Sequence, residues 1–261
     1  MKKKCLFLGY NSKKTILIKK IESLGQGWSV TQTNRPVSSI NLKKFHSIIS
    51  FGYRHIISSE TIKKCKIPII NLHIGYLPYN RGSYPNFWSF VENTPTGITI
   101  HEIDQGMDTG PIIYQKIIDF ELFKNRKKLT FAKTYKILIN EIEKLFIKNI
   151  KDIMNRNYLT YKQVGKGSYH SKSQLPKNLK NWNQNIYKVV LNYNSHSKNK
   201  LKNKINLIDA IENTRKRNNV NWMNMMKIAI ESSPDKTDKV LKNINFDDNK
   251  ISKLFKKLTK N

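Results

Sequence analysis

The sequence predicts an α/β fold with a mainly parallel sheet, followed by a helical C-terminal module. Three observations lead there. Short apolar runs at 5–9, 46–51 and 67–71 alternate with helical spacing at about 13–24 and 58–65. Such alternation buries a parallel sheet between two layers of helices. Residues 130–150 place Tyr135, Leu138, Ile139, Ile142, Leu145, Phe146 and Ile150 on one helical face. Beyond about residue 201 only helical spacing remains.

Each element follows from its own pattern. Cys5 to Gly9 is apolar and ends in glycine, which suits a first buried strand. Ile16, Leu17, Ile21 and Leu24 recur at three- and four-residue spacing and predict a helix over about 13–24. A second strand fits 28–32. His46–Phe51 and Ile67–Asn71 read as buried strands, with a helix near 58–65 between them. Gly97 to His101 alternates as a strand does, and Ile112 to Phe120 reads as its continuation beyond an Asp108 loop. The first domain is expected over residues 1–155. Residues 156–200 are polar and read as an irregular extension. Residues 201–261 read as several short helices, marked by Leu207, Ile208 and Ile211; Trp222, Met225, Met226 and Ala229; Val240, Leu241 and Ile244; and Ile251, Leu254, Phe255 and Leu258. Ser232-Ser-Pro234-Asp looks like a helix start with proline in the first turn.

Composition narrows the class. The chain has 261 residues and is 38% hydrophobic, enough for a real core. No run of eighteen apolar residues offers a transmembrane helix. The start, Met-Lys-Lys-Lys-Cys, superficially resembles a signal peptide, but its apolar stretch is too short and Asn11 to Lys14 interrupt it. Cys5 and Cys65 make neither a disulfide framework nor a metal cluster. A cytoplasmic protein is the simplest reading. The net charge is +30, and it is spread: residues 1–150 carry 24 Lys/Arg against 10 Asp/Glu, and residues 151–261 carry 24 against 8. A Lys-, Asn- and Ile-rich compositional bias explains this. A phosphorylated substrate or a nucleic acid is the other explanation.

Polar chemistry concentrates between residues 71 and 111. Asn71 and His73 end a strand, and a period of two turns both side chains to one face. Asp108 lies in a loop between Gly106 and Gly110. A carboxamide donates without titrating, an imidazole moves protons near neutrality, and a carboxylate beside it fixes its tautomer. Alone, Asn71 reads as a turn former, His73 as a core histidine and Asp108 as a turn cap. Together with Leu77-Pro78 and Arg81-Gly82 they read as one site. Gly9 follows the first strand without GxGxxG, so dinucleotide binding is not inferred.

Asn71-Leu-His73-Ile-Gly-Tyr76-Leu77-Pro78-Tyr-Asn-Arg81-Gly82, followed by Asp104-Gln105-Gly106-Met107-Asp108-Thr-Gly110-Pro111, resembles the formyltransferase family that uses 10-formyltetrahydrofolate. The resemblance covers roughly residues 1–150, most tightly 48–118. It implies a Rossmann-like formyltransferase domain, with Asn71 stabilising an oxyanion, His73 handling protons and Asp108 supporting His73. Gly75-Tyr76 departs from the Ser-Leu that family members often carry. Ser50-Phe-Gly-Tyr-Arg54-His55-Ile56-Ile57 is similar to sugar-nucleotide members, including the UDP-4-amino-arabinose formyltransferases. By that resemblance His55, Ile56 and Ile57 form one wall of the folate site, and Asp104, Gln105, Gly106, Met107 and Asp108 the other. Arg81 and Tyr76 would meet the substrate, and Lys166-Gly-Ser-Tyr-His170 resembles an extension segment that helps hold it.

The resemblance implies N-formylation of an amino sugar carried on a nucleoside diphosphate, as in lipopolysaccharide or O-antigen biosynthesis, with 10-formyltetrahydrofolate as co-substrate and no metal. No membrane partner is expected, and a homodimer is compatible with this reading. Methionyl-tRNA formyltransferase is the runner-up. The charge suits its tRNA substrate, but its members carry a C-terminal β-barrel and residues 201–261 read helical. Glycinamide ribonucleotide formylation comes third. A catalytically silent basic binding protein stays open as a different class.

Overall fold

In β1 (Lys4–Gly9) every residue after Lys4 is buried. Cys5 and Phe7 join one apolar cluster, and Leu6 and Leu8 another. A strand apolar on both faces belongs inside a sheet covered on both sides. β2 (Ser29–Thr33), β3 (Ser47–Phe51) and β4 (Ile69–His73) complete a parallel group around it. The computed structural model describes residues 2–25, 27–120, 128–177, 179 and 181–258. They fall into two compact units, 1–194 and 195–261.

The six-stranded sheet has the order β2-β1-β3-β4-β6-β7. Here β6 is Gly97–Glu102 and β7 is Ile112–Ile117. β6 runs antiparallel to β4, and β7 antiparallel to β6. The segment after the Asp108 loop is therefore a hairpin partner of β6 and not its continuation. The chain reverses through Asp104–Gly110, where local turn bonds close the loop. A short β5 (Arg81–Gly82) pairs with β8 (Tyr169–His170) in a second, two-stranded sheet.

Helices cover the sheet as the apolar spacing requires. On one face lie α1 (Leu17–Glu22), α4 (Phe131–Lys148) and α5 (Ile150–Asn155), through Leu17, Ile21, Leu138, Ile142, Phe146 and Ile153. On the other face Val37, with Ile40, Leu42 and Phe45, packs on Leu6, Leu8, Ile48 and Ile69. Beside that cluster runs α2 (Ser59–Lys64), capped by the Ser58 hydroxyl accepting from the Thr61 N–H. α1 is shorter than its spacing predicts, because Asn11 closes a turn first. Its side-chain carbonyl accepts from Lys13 N–H and its backbone carbonyl from Lys14 N–H.

The first unit continues past residue 155 and takes in the polar stretch to residue 194. Tyr161 forms an isolated bridge with Ile112. Ile186, at the start of α6 (Ile186–Ser232), packs on Phe87, Trp88 and Phe131, where Phe87 and Trp88 belong to α3 (Pro85–Val91). Residues 195–258 are helical, but as the remainder of α6 and then α7 (Pro234–Leu258), not as several short helices. No glycine or proline interrupts 186–232, so polar residues alone did not end the helix, and Pro234 did. Ile208, Trp222, Met225 and Phe246 are exposed. The side chains of Ile244, Ile251, Leu254, Phe255 and Leu258 lie outside the described residues. No helix is long and apolar enough, among the described residues, to cross a membrane.

Phe146 is wholly buried where α4 meets the sheet. Phe146→Ala should cost about 3–5 kcal/mol of stability, read as a lowered urea midpoint with an unchanged slope.

Candidate active site

Asn71 and His73 lie on the β4 face opposite Ile70 and Leu72, which pack into the α4 side of the core. Across the antiparallel ladder Asn71 faces His101, and His73 faces Thr99. The β6–β7 ladder shifts register between Ile100 and His101. Such an irregularity re-aims side chains at a sheet edge. The loop after β6 then folds back and delivers Asp108 to this face.

That loop is held from inside and outside. Asp104 Oδ1 accepts from Gly106 N–H at 3.0 Å and from the Thr109 hydroxyl at 2.6 Å. Gly110 passes so close to β6 that a Cβ there would stand 1.9 Å from the Glu102 carbonyl oxygen. Gln163 donates its amide to the carbonyls of Asp108 and Gly110, both at 2.8 Å. Arg81 in turn donates Nε and Nη2 to Gln163 Oε1. Asp108 itself takes a left-handed conformation, with φ of 53°.

The Asp108 carboxylate has a partner for each oxygen. Oδ2 accepts from Gly82 N–H at 2.8 Å and lies 3.5 Å from His73 Nδ1. Oδ1 accepts from Asn71 Nδ2 at 3.3 Å and lies 3.6 Å from His101 Nε2. Burial alone would push the Asp108 carboxyl up. The imidazoles of His73 and His101 and the Gly82 N–H outweigh it and hold the carboxyl well below the usual carboxylate range. His73 moves down as well. Burial is the main cause and His101 acts the same way, while the Asp108 carboxylate and the Asn80 carbonyl only partly offset them. At neutral pH the pair is an ionised carboxylate and a neutral imidazole. His73 Nε2 is buried and has no hydrogen-bond partner among the described residues, so the ring keeps a free position for a proton.

The other sequence-derived positions are spread along this edge. His55 is exposed and its Nε2 lies 2.9 Å from the Asn34 carbonyl. Ile56 is 82% exposed and Met107 42%. Ile57 is partly buried beside the Leu6 cluster. Gln105 and Gly106 are exposed, and Asp104 is engaged within its own loop. Tyr76 packs beside Gly97. Arg81 reaches Gln163 and acts on the Asp108 loop through it. The Lys166–His170 segment straps the loop before β5: Ser168 Oγ accepts from Asn80 N–H at 2.9 Å, and its carbonyl accepts from Arg81 N–H at 3.0 Å.

Sequence reasoning missed His101, Gln163 and the Gly82 N–H. For His101 a signal existed, since Thr99 and His101 are the polar members of an alternating strand. Gln163 gave none, because it lies 55 residues from Asp108 in a featureless polar stretch. Among the described residues no group of three His, Cys, Asp or Glu is spaced to hold a metal ion.

The family described as Formyl transferase matches residues 2–131. The solved formyltransferase PseJ from Anoxybacillus kamchatkensis is 36% identical, with a TM-score of 0.63, over 71% of this chain and 96% of that one. This chain belongs to the formyl transferase family. PseJ was solved with UDP-4,6-dideoxy-4-formamido-L-AltNAc and tetrahydrofolate. A dTDP-4-amino-4,6-dideoxyglucose formyltransferase of Mycobacterium bovis is 35% identical over 75 residues, 29% of this chain and 31% of that protein. A methionyl-tRNA formyltransferase of Thermodesulfovibrio yellowstonii is 31% identical over 179 residues, 66% of this chain and 56% of that protein. The chain thus spans about a third to just over half of these two curated relatives.

Within this formyl transferase, Gly75 matters more than a loop residue would. A Cβ on it would stand 2.5 Å from His73 Nε2. Gly75→Ala should displace the imidazole and lower kcat by about 10-fold to 100-fold, measured at saturating substrates. The two downward pKa shifts also set an acid limb on stability. Both groups bind protons more readily unfolded, so the pair stabilises fully above the ordinary histidine value of 6.5. That contribution falls as His73 of the unfolded chain protonates below 6.5, and falls again as Asp108 of the unfolded chain protonates below its ordinary 3.8. Urea midpoints from pH 8 to pH 3 should show wild type declining below 6.5 and His73→Gln declining less. The gap between wild type and Asp108→Asn should close below 3.8.

Proposed function

We propose that this protein transfers the formyl group of 10-formyltetrahydrofolate to the amine of a nucleoside-diphosphate-linked amino sugar. The observation that carries the reading is the buried meeting of Asn71, His73 and Asp108 around an unpartnered His73 Nε2. In the reaction the uncharged amine attacks the formyl carbon and a new C–N bond forms. The carbonyl becomes an oxyanion, which Asn71 stabilises by donation. His73 Nε2 takes the proton from the attacking nitrogen, and Asp108 steadies the resulting imidazolium through Nδ1. As the bond from the formyl carbon to the folate nitrogen breaks, that proton returns to the leaving nitrogen. Exposed Ile56 and Met107 would offer apolar contact for the folate rings.

A second observation supports a phosphorylated acceptor. At the carboxyl ends of β1, β2 and β3 lies a cavity of about 540 Å³, lined by Lys14, Gln32, Asn34, Arg35, Gly52 and Arg54 among others. The strand order reverses between β1 and β3, the position where open α/β sheets bind ligands. Among the described residues none of Lys14, Arg35 and Arg54 has an ion-pair partner. One strand separates this cavity from Asn71, since Gly9 pairs with Phe51 and Ser50 with Asn71. A diphosphate there would leave its sugar directed along the sheet edge toward His73. PseJ, with its UDP-linked formamido sugar, supports the same class of acceptor. Such a substrate belongs to the cytoplasm and suits lipopolysaccharide or O-antigen assembly. The tRNA reading has the basic charge in its favour, but no strand follows His170 among the described residues.

The test is a turnover screen with 10-formyltetrahydrofolate against UDP- and dTDP-linked 3-amino and 4-amino sugars, with initiator tRNA as control. His73→Ala or Asp108→Ala should lower kcat by about 10²-fold to 10⁴-fold without unfolding the chain. Arg35→Ala should raise KM for the nucleotide sugar about 10-fold and leave that for the folate unchanged. Formylation of tRNA alone, or near-normal turnover by either triad variant, would overturn the assignment.

A further inference from the structure

His101 belongs to no motif that identified this site, yet it is almost wholly buried within it. Its Nδ1 lies 2.8 Å from the carbonyl oxygen of Glu102. A carbonyl only accepts, so Nδ1 carries the proton and Nε2 of the neutral ring is an acceptor. That acceptor lies 3.1 Å from Asn71 Nδ2 and 3.6 Å from Asp108 Oδ1, so the Asn71 amide supplies the N–H groups that both acceptors need. The cross-strand pairing of Asn71 with His101 sets this contact, so backbone hydrogen bonds fix its geometry. The second Asn71 N–H rests on Asp108 Oδ1, at the longer distance of 3.3 Å.

We propose that His101 is a positioning residue that fixes which way the Asn71 carboxamide faces. The proposal rests on the formyl-transfer reading for its kinetic arm only. A free carboxamide can rotate by half a turn about its terminal bond. With Oδ1 turned inward, Asn71 would repel both the Asp108 carboxylate and a developing oxyanion. The acceptor nitrogen of His101 makes that rotamer unfavourable, because it would face the amide oxygen lone pairs. With one N–H anchored on His101, the other is the one that can exchange. It leaves the longer contact on Asp108 and donates to the formyl oxygen as charge develops there. Asp108 keeps the Gly82 N–H and gains the imidazolium of His73 in the same step. No bond to His101 forms or breaks in the reaction.

Three variants and two readouts test this. In His101→Met the acceptor is replaced by a side chain of similar reach, and in His101→Gln a carbonyl acceptor is restored. With asparagine labelled with nitrogen-15, the Asn71 side-chain amide is assigned by its loss in Asn71→Ala. Slow exchange of one amide proton is expected in wild type and His101→Gln, and its loss in His101→Met. Kinetically, His101→Met should lower kcat by about 10-fold to 100-fold while both KM values stay near wild type. His101→Gln should recover most of that loss. The losses of His101→Met and Asn71→Ala should not add, because both remove one function. Wild-type exchange at the Asn71 amide in His101→Met, or full additivity, would overturn the proposal. If the wild-type chain transfers no formyl group, the functional reading fails instead, and the amide signal alone decides the role of His101.

Discussion

The ionised carboxylate of Asp108 lies out of water against the His73 imidazole, the Asn71 carboxamide and the backbone N–H of Gly82, with the His101 ring 3.6 Å away. A buried charge is tolerated only when its oxygens are satisfied. The residues around Asp108 come from three different strands. Asn71 and His73 come from β4, His101 from β6 and Gly82 from β5. The requirement to satisfy one anion therefore constrains three strands and a loop at once. Burial and His101 favour the neutral His73 ring against the pull of that anion.

Part of the support for that loop comes from residues after 131. The family match ends at residue 131, while Gln163 holds the Asp108 and Gly110 carbonyls and Ser168 holds the approach to Gly82. The polar stretch after residue 155 is thus part of the site's framework. Arg81 belongs to the same support. Its two bonds to Gln163 brace the amide that fixes the loop, which gives this arginine a structural task whatever the substrate.

The high positive charge separates into two parts. Most of it comes from lysines scattered along the whole chain, which contribute solubility and long-range attraction for anions but no geometry. Lys14, Arg35 and Arg54 differ because the sheet gathers them at one cavity where the strand order reverses. Residues 14 and 35 are unremarkable in the sequence, and Arg54 stands out only as part of the Ser50–Ile57 segment. Three loops after three parallel strands bring them together.

Local pattern determined a good deal of this protein. Apolar content on both faces of residues 5–8 and 48–49 required a sheet buried on both sides. The two-residue spacing of Asn71 and His73 required a shared face, and the absence of strand patterning after 201 required helices. The tertiary structure decided what periodicity cannot encode. A strand's burial pattern is the same whichever way its neighbour runs, so the antiparallel entry of β6, and with it the placing of His101 against Asn71, was invisible. Gln163 was invisible for a related reason: a hydrogen bond across 55 residues is specified by the folded path of the chain, and no spacing near either partner announces it. Helix length followed the same rule, since polarity within 213–220 weakens a helix locally while only a missing N–H, at Pro234, obliges it to stop.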